Sequence, residues 1–349
     1  MNKLTTTGGR AELRRQARIA QTLGSPFVSD LLHAAERQLD RGPATADLVV
    51  GWPGDPAAAA LGMRLNSALH ALARRGKPRH LADLYRGKHD DFDRAVALAF
   101  DAEDDFICEW MRYPTQTNEV ARTAAIGAAL MEIRRMTGLP AELLEIGSSC
   151  GLNLNLMRYS FNLGGRAAGD ARSSVRIAPT WHGTPPPDVP IEVIKARGVD
   201  LRPLDPGDAH TRERLMAYIW PGQVRRSERL ERALEVARSF PPMVERANAA
   251  DWIGKQLAQP HPSGRCRVVL HSMVLQYIGD IDRVRIADAV DAAAARATPE
   301  RPLARIGFEW APDRSEVQLT LRCWPDGERR MLATAHPYCD WIAWRGMST

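Results

Sequence analysis

Glu145, Ser149 and His271 are the side chains whose sequence surroundings best suit chemistry. Glu145 ends an apolar run, and a glycine-framed bend, residues 147–151, follows it with Ser149 at its centre. His271 ends a second apolar run, residues 268–270. In an α/β sheet ligands collect where strands end, and a glycine-framed bend at such an end permits close approach of the backbone to a ligand. A serine in a Gly-x-Ser-x-Gly turn is instead typical of a hydrolase nucleophile.

A serine hydrolase would use Ser149 as the attacking group. Its base and acid would be His271 with Asp251, or His336 with a later acid. Three features weigh against this alternative. Glu145 would put negative charge beside a developing oxyanion, the preceding region reads as helical and offers no oxyanion loop, and large residues follow the bend where a sharp turn packs small ones.

Apolar periodicity indicates which elements position these residues. Residues 11–136 carry apolar side chains at helical spacing. After Pro140, short apolar runs alternate with helical stretches, which is typical of a mostly parallel sheet with helices on both faces. Two apolar runs around the turn at 325–328 predict an antiparallel C-terminal hairpin. We therefore predict an α/β fold with an all-helical N-terminal region, residues 1–138, and a second domain, residues 139–349.

The bend after the first strand resembles the first motif of the class I S-adenosylmethionine-dependent methyltransferases, the Rossmann-like group. The shared feature is the acid-x-Gly-x-x-x-Gly spacing, although Ser149 stands where many members have glycine. The resemblance implies a Rossmann-like sheet, S-adenosylmethionine as cofactor, and Glu145 under its methionine part. The cofactor-binding residues that it implies on the bend are Glu145, Gly147, Ser148, Ser149, Gly151 and Asn153.

Two later segments are similar to further motifs of the same methyltransferases. Asp200 or Asp205 follows a stretch predicted to be helical, residues 191–198, and would accept the ribose hydroxyls. Asn248, with Ala249, stands where the third-strand motif meets adenine. The alternative for each acid or amide is a helix cap or turn residue, and we expect Asp251 to cap the next helix.

The fourth motif, which faces the transferable methyl group, corresponds to the end of the run 268–272. Ser272 is assigned to the cofactor, and His271 is our first candidate for a general base, with an ordinary pKa of ~6.5. Tyr277 is the second candidate. The alternative for His271 is a hydrogen-bonded structural histidine.

A polar cluster precedes and enters the last N-terminal helix. We predict that it contacts the substrate, although capping would also explain Asn118. Its members are Gln116, Asn118, Glu119 and Arg122. Together with the bend and the two later strand ends, this segment resembles an uncharacterised bacterial family catalogued as a domain of unknown function, number 2332. That resemblance spans nearly the whole chain and implies no established activity.

Composition limits the classes of partner and the compartment that the sequence predicts. The net charge is +5, but arginine, alanine, glycine and proline are all plentiful, as a GC-rich genome produces, so we do not predict nucleic-acid binding. The five cysteines are scattered without metal-ligand spacing, so we predict no metal and a reducing compartment. No apolar run reaches ~18 residues. We expect a cytoplasmic protein, with the helical region capping a cleft for a small or medium-sized acceptor, and leave its oligomeric state open.

Overall fold

The computed structural model describes residues 8–346. Its α-helices, in chain order, are α1 (Gly9–Thr22), α2 (Pro26–Arg37), α3 (Pro43–Val50), α4 (Leu61–Arg74), α5 (Arg79–Tyr85), α6 (Phe92–Arg112), α7 (Thr123–Thr137), α8 (Ala209–Ala217), α9 (Val224–Ser239), α10 (Ala249–Ala258) and α11 (Asp280–Ala294). Shorter 3-10 helices include Val120–Arg122, Leu152–Arg158 and Leu275–Tyr277.

The strands follow the same order. They are β1 (Ala141–Ile146), β2 (Ser160–Leu163), β3 (Arg166–Gly169), β4 (Arg176–Ile177), β5 (Thr180–His182), β6 (Val193–Asp200), β7 (Val244–Arg246), β8 (Cys266–Ser272), β9 (Leu303–Trp310), β10 (Val317–Trp324), β11 (Arg329–Ala335) and β12 (Trp341–Trp344). The predicted helical N-terminal region and the α/β alternation after Pro140 are both confirmed.

Two local predictions are wrong. Within the stretch of helical spacing, residues 55–60 form turns, and α4 begins only after Ala60, whose φ is 54°. Residues 191–198 were predicted to be helical, but β6 occupies 193–200. β6 pairs with β1 on one side and β7 on the other. Strand pairing on both edges therefore outweighs the local helical pattern, as tertiary context often does.

The chain forms two units, and their division differs from the predicted boundary at residue 138. The first comprises residues 8–117 and 209–228, and the second comprises residues 118–208 and 229–346. Helix α7 thus belongs to the second unit, and the boundary near residue 228 falls within α9. In the first unit, buried side chains such as Leu13, Leu65 and Phe100 pack with Ala217 of α8. That packing explains why a segment from the middle of the chain joins the N-terminal helices.

The second unit is organised around a large sheet with the strand order β5-β12-β11-β10-β9-β8-β1-β6-β7. The five strands from β9 to β7 are parallel, and β9 to β12 are antiparallel neighbours. The β10–β11 pair is the predicted hairpin, and β5 comes from the irregular stretch 158–195. The sheet is therefore mostly parallel, with an antiparallel C-terminal part.

Alternation along the strands divides the sheet into two faces. Leu144, Ile146 and Val269 pack against apolar residues of α10 and α11, including Ile253 and Ile286. The alternate residues face the other side, where α7 contacts β9 and β10. Glu145 therefore points to the α7 face, whereas His271, opposite Ile146 in the register, points to the α10–α11 face.

No helix within residues 8–346 has both the length and the apolar character needed to cross a bilayer.

Helix α10 begins differently from the prediction. Asn248 is its N-cap, and its Oδ1 atom accepts hydrogen bonds from the amides of Ala250 (2.8 Å) and Asp251 (3.2 Å). The Asn248 Nδ2 atom also donates to Asp282 Oδ2 at 2.7 Å. Asp251, the expected cap, lies in the first turn and pairs with Arg285 on the surface.

We expect Asn248→Ala to lower the free energy of unfolding by about 1 kcal/mol, since it removes the cap. Asp251→Ala is the control, and it should change stability by less than about 0.5 kcal/mol because it breaks only an exposed ion pair. Urea denaturation of both variants measures the difference. A larger loss for Asp251→Ala would contradict the assignment of the cap.

Candidate functional site

The carboxyl ends of β1, β6 and β8 meet at one edge of the sheet. β1 lies between the other two, and all three run parallel. The chain passes from β1 to one side of the sheet and later to the other, so the end of β1 is a switch point in the topology. Ligands of open parallel sheets bind in the crevice at such a point.

The turn at residues 147–152 connects β1 to the following 3-10 helix. Its backbone amides donate hydrogen bonds to other groups of the same protein. The amides of Gly147 and Ser148 donate to Val199 O, and Gly151 N donates to Ser148 O at 2.7 Å. Ser149 N donates to Asp200 Oδ2 at 2.9 Å. The remaining pair, Cys150 N and Leu152 N, donate to Asn118 Oδ1 at 3.1 and 3.2 Å.

These amides are therefore engaged within the protein and are not available to a ligand. The segment after the turn is the seven-residue 3-10 helix Leu152–Arg158 rather than an α-helix. Gly147 has φ 72°, and a Cβ atom there would lie 2.3 Å from Val274 Cγ2. A Cβ atom on Gly151 would lie 2.7 Å from Pro242. Both glycines are needed because other parts of the second unit pack against the turn.

Glu145 lies directly beneath this turn and is only 1% exposed. Its Oε1 atom accepts a hydrogen bond from Asn153 Nδ2 at 2.8 Å, but its Oε2 atom is buried without a partner. Burial raises the pKa of Glu145 to about 7; the bond from Asn153 opposes this shift, and the charge of Asp200 adds to it. The carboxyl group can therefore gain or lose a proton near neutral pH.

Two further buried oxygens near Glu145 have no hydrogen-bond partner. They are Asn153 Oδ1 and Ser149 Oγ. Buried polar atoms are normally satisfied by protein, water or ligand. Three such oxygens around one turn indicate a place where a polar ligand can supply the missing donors. Ser148 does not contribute to this set, because its hydroxyl donates to Glu145 O at 3.0 Å.

Asp200 and Asp205 have different surroundings. Asp200 ends β6, and its two carboxylate oxygens accept from Ser149 N and Arg202 N. Asp205 is exposed and closes its own turn by accepting from Gly207 N at 2.7 Å. Only Asp200 contacts the turn that follows β1. Each of its oxygens still has a lone pair available, because a carboxylate accepts about four hydrogen bonds.

The structure corrects the general-base role predicted for His271. The ring is buried, its Nδ1 atom lies 2.9 Å from Glu309 Oε1, and its Nε2 atom lies 3.0 Å from Arg305 Nε. Arginine can only donate, so Nε2 accepts and the proton resides on Nδ1. Burial lowers the pKa of His271, and the charge of Arg305 acts in the same direction. With both nitrogens engaged, His271 is a structural histidine and cannot take a proton from a substrate here.

The other residues assigned to the β7 and β8 ends are dispersed. Tyr277 is 46% exposed on the 3-10 helix after β8. Ser272 ends β8, and its hydroxyl oxygen is buried without a partner. Asn248 caps α10 rather than presenting a free amide, and Ala249 is the first residue of that helix. The adenine contact expected of Asn248 is therefore replaced by capping.

The polar cluster before α7 is brought to the turn in part. Asn118 accepts hydrogen bonds from two amides of the turn. Glu119 and Arg122 follow it closely in the chain, and both are buried. Gln116 belongs to the helical unit. Sequence reasoning missed Arg229, whose Nη2 atom donates to Glu119 Oε1 at 2.9 Å. It also missed Arg305 and Glu309, for which charges inside an apolar strand were the available signal.

We expect stability to reveal the state of Glu145. Its folded pKa of about 7 exceeds the unfolded value of 4.5, so the folded protein loses stability as pH rises from 4.5 to 7. Glu145→Gln removes this loss, and its free energy of unfolding relative to the parent should rise by up to about 3 kcal/mol between pH 4.5 and pH 8. Denaturant titrations at both pH values measure it. A difference independent of pH would contradict the raised pKa.

Comparison with known proteins gives one result. A protein-family description, "Uncharacterized protein conserved in bacteria (DUF2332)", matches residues 10–344. Comparisons with curated proteins and with solved structures find no significant match. Because the match spans nearly the entire sequence, the chain belongs to the DUF2332 family of uncharacterised proteins conserved in bacteria.

Proposed function

We propose that this protein is an S-adenosylmethionine-dependent methyltransferase whose cofactor lies at the carboxyl ends of β1, β6 and β8. The observation that carries the proposal is Glu145, a buried carboxyl group at the switch point with one unpartnered oxygen. A buried acid in that condition suits a cationic ligand, because a positive charge within ~4–6 Å favours its ionised form. The methionine end of the cofactor carries an ammonium group and a sulfonium centre.

Two further features support a nucleoside ligand. The parallel strands β7-β6-β1-β8-β9 have the 3-2-1-4-5 order of doubly wound nucleotide-binding sheets, which favours the Rossmann-like interpretation. Asp200 ends the strand beside β1, where an acid typically accepts ribose hydroxyls, and its oxygens keep acceptor capacity. Recognition would depend on these side chains, because the amides of the turn are already hydrogen-bonded.

The roles of the protein's own residues follow from this arrangement. Glu145 would hold the cationic end of the cofactor, Asn153 would orient that carboxyl group, and Asp200 would hold both the ribose and the turn. Bound S-adenosylmethionine supplies an electrophilic methyl group. The protein would contribute alignment of the acceptor and exclusion of water.

A serine esterase is the second candidate, because one observation favours it. Ser149 has φ 54° between two glycines, and its hydroxyl oxygen has no partner. A strained serine at such a turn is typical of the nucleophile elbow. The base predicted for it, His271, is instead bonded to Glu309 and Arg305.

Calorimetry with S-adenosylhomocysteine tests the proposal. Binding of its ammonium group should ionise Glu145, whose pKa is about 7, so the affinity should rise about tenfold from pH 6 to pH 8 and a proton should be released. Glu145→Gln should weaken binding and remove the pH dependence. Glu192→Gln, which alters an exposed acid, is the matched control and should keep both.

The same samples exclude the alternatives. A ligand at 100 times its dissociation constant adds about 2.7 kcal/mol of stability, which a thermal-shift assay detects readily. Absence of any shift at millimolar S-adenosylhomocysteine would contradict the methyltransferase proposal. Labelling of Ser149 by a fluorophosphonate, lost in Ser149→Ala, would identify the esterase instead. A non-catalytic binding or scaffold protein should show neither response.

A further inference from the structure

Arg122 is a buried cation without a carboxylate partner. The residue is 8% exposed and immediately precedes α7. Its Nε atom donates to Pro337 O at 3.0 Å, and its guanidinium carbon lies 6.0 Å from the centre of the Phe308 ring. Among residues 8–346, no acid lies within ion-pair distance of Arg122, and its two terminal nitrogens have no hydrogen-bond acceptor.

The acid closest in sequence is already neutralised. Glu119, three residues earlier, accepts from Arg229 Nη2 at 2.9 Å and from Ala121 N at 3.1 Å. Both side chains of this ion pair are largely buried. Arg229 therefore satisfies Glu119, and the charge of Arg122 remains available for another anion.

The surroundings of Arg122 favour an anion of a particular shape. The two terminal nitrogens of a guanidinium lie in one plane and match the two oxygens of a carboxylate. The N-terminus of α7, which adds positive potential, lies at the same position. The low exposure of Arg122 and its contact with the Phe308 ring strengthen such a bond relative to one in bulk water. Largely buried charges in proteins are normally paired, so these two nitrogens are available to an anion that reaches them.

Arg122 is also electrostatically coupled to the proposed cofactor site. Its charge acts on Glu145, where it opposes the rise in pKa that burial causes. Both groups lie on the α7 face of the second unit. A ligand held by Arg122 would therefore bind close to the methyl donor proposed at Glu145.

We propose that Arg122 binds the carboxylate of the methyl acceptor, so that the acceptor is a small carboxylic acid and the product a methyl ester. This inference rests on the proposed function. One carboxylate oxygen forms a bond to the methyl carbon as the carbon–sulfur bond breaks, and that bond's electron pair stays on sulfur. No proton moves, which is compatible with His271 having both nitrogens engaged. The ester is uncharged, so Arg122 holds it less tightly than the acid.

Isothermal titration with sodium benzoate and sodium acetate tests the carboxylate site in the intact protein. Sodium phosphate is the comparison, and sodium chloride keeps the ionic strength constant. We expect both carboxylates to bind, and to bind more tightly than phosphate. Arg122→Gln should weaken benzoate binding at least about tenfold, since a charge-assisted bond is lost. Arg122→Lys should restore part of it, because the charge returns without the planar pair of nitrogens.

Arg176→Gln is the matched control, because Arg176 is exposed on β4 and the net charge changes equally. It should leave benzoate binding unchanged. Unchanged benzoate binding in Arg122→Gln would overturn the proposal, as would tighter binding of phosphate. If neither carboxylate binds the parent protein, the proposal is also overturned. This outcome does not depend on whether the variants fold.

Titration of S-adenosylhomocysteine separates this inference from the proposed function. We expect Arg122→Gln to retain binding of S-adenosylhomocysteine with at most a few-fold change in affinity, since the charge of Arg122 acts on Glu145. In the parent, S-adenosylhomocysteine should bind together with benzoate. Competition between the two ligands would overturn the acceptor assignment, because Arg122 would then hold the cofactor's own carboxylate. Carboxylate binding that depends on Arg122, without any binding of S-adenosylhomocysteine, would support the carboxylate site and overturn the methyltransferase.

Discussion

Glu145 places a carboxyl group inside the protein at the end of β1, where water cannot solvate its charge. Removing a carboxylate from water is costly, and the group responds by holding its proton to near neutral pH. Asn153 supports one oxygen, and the other has no partner. Three neighbours affect this carboxyl group: the turn above it, the acid Asp200 and the cation Arg122. Each alters either the charge of Glu145 or its access to a ligand.

The turn above Glu145 is rigid for reasons that lie elsewhere in the second unit. Asn118 precedes α7, Asp200 ends β6, and both accept hydrogen bonds from its amides. Val274 fills the space beside Gly147. A turn held in this way cannot wrap its backbone around a ligand, so recognition must come from side chains beneath and beside it.

Buried charges around the site are arranged in two different ways. Arg229 and Glu119 form an ion pair, and His271 is hydrogen-bonded to Glu309 and Arg305 on the opposite face of the sheet. These groups stabilise the structure, and their pairing leaves them little capacity for chemistry. Glu145 keeps a buried acceptor oxygen without a partner, and the terminal nitrogens of Arg122 keep donor capacity beyond the bond that its Nε atom makes. A ligand with a cationic end and an acceptor with a carboxylate would complement both.

Periodicity and turn residues in the sequence determined the helical N-terminal region, the mostly parallel sheet and the C-terminal hairpin, because spacing of apolar side chains records which face of each element is buried. They also located Glu145 at a strand end and left Asp200 and Asp205 as alternatives for one ligand contact. Only the tertiary structure decided that residues 193–200 form a strand and that Asn248 caps α10. It also decided that both ring nitrogens of His271 are bonded to Arg305 and Glu309. Those outcomes depend on partners distant in sequence, whose pairing and hydrogen bonds local spacing does not record.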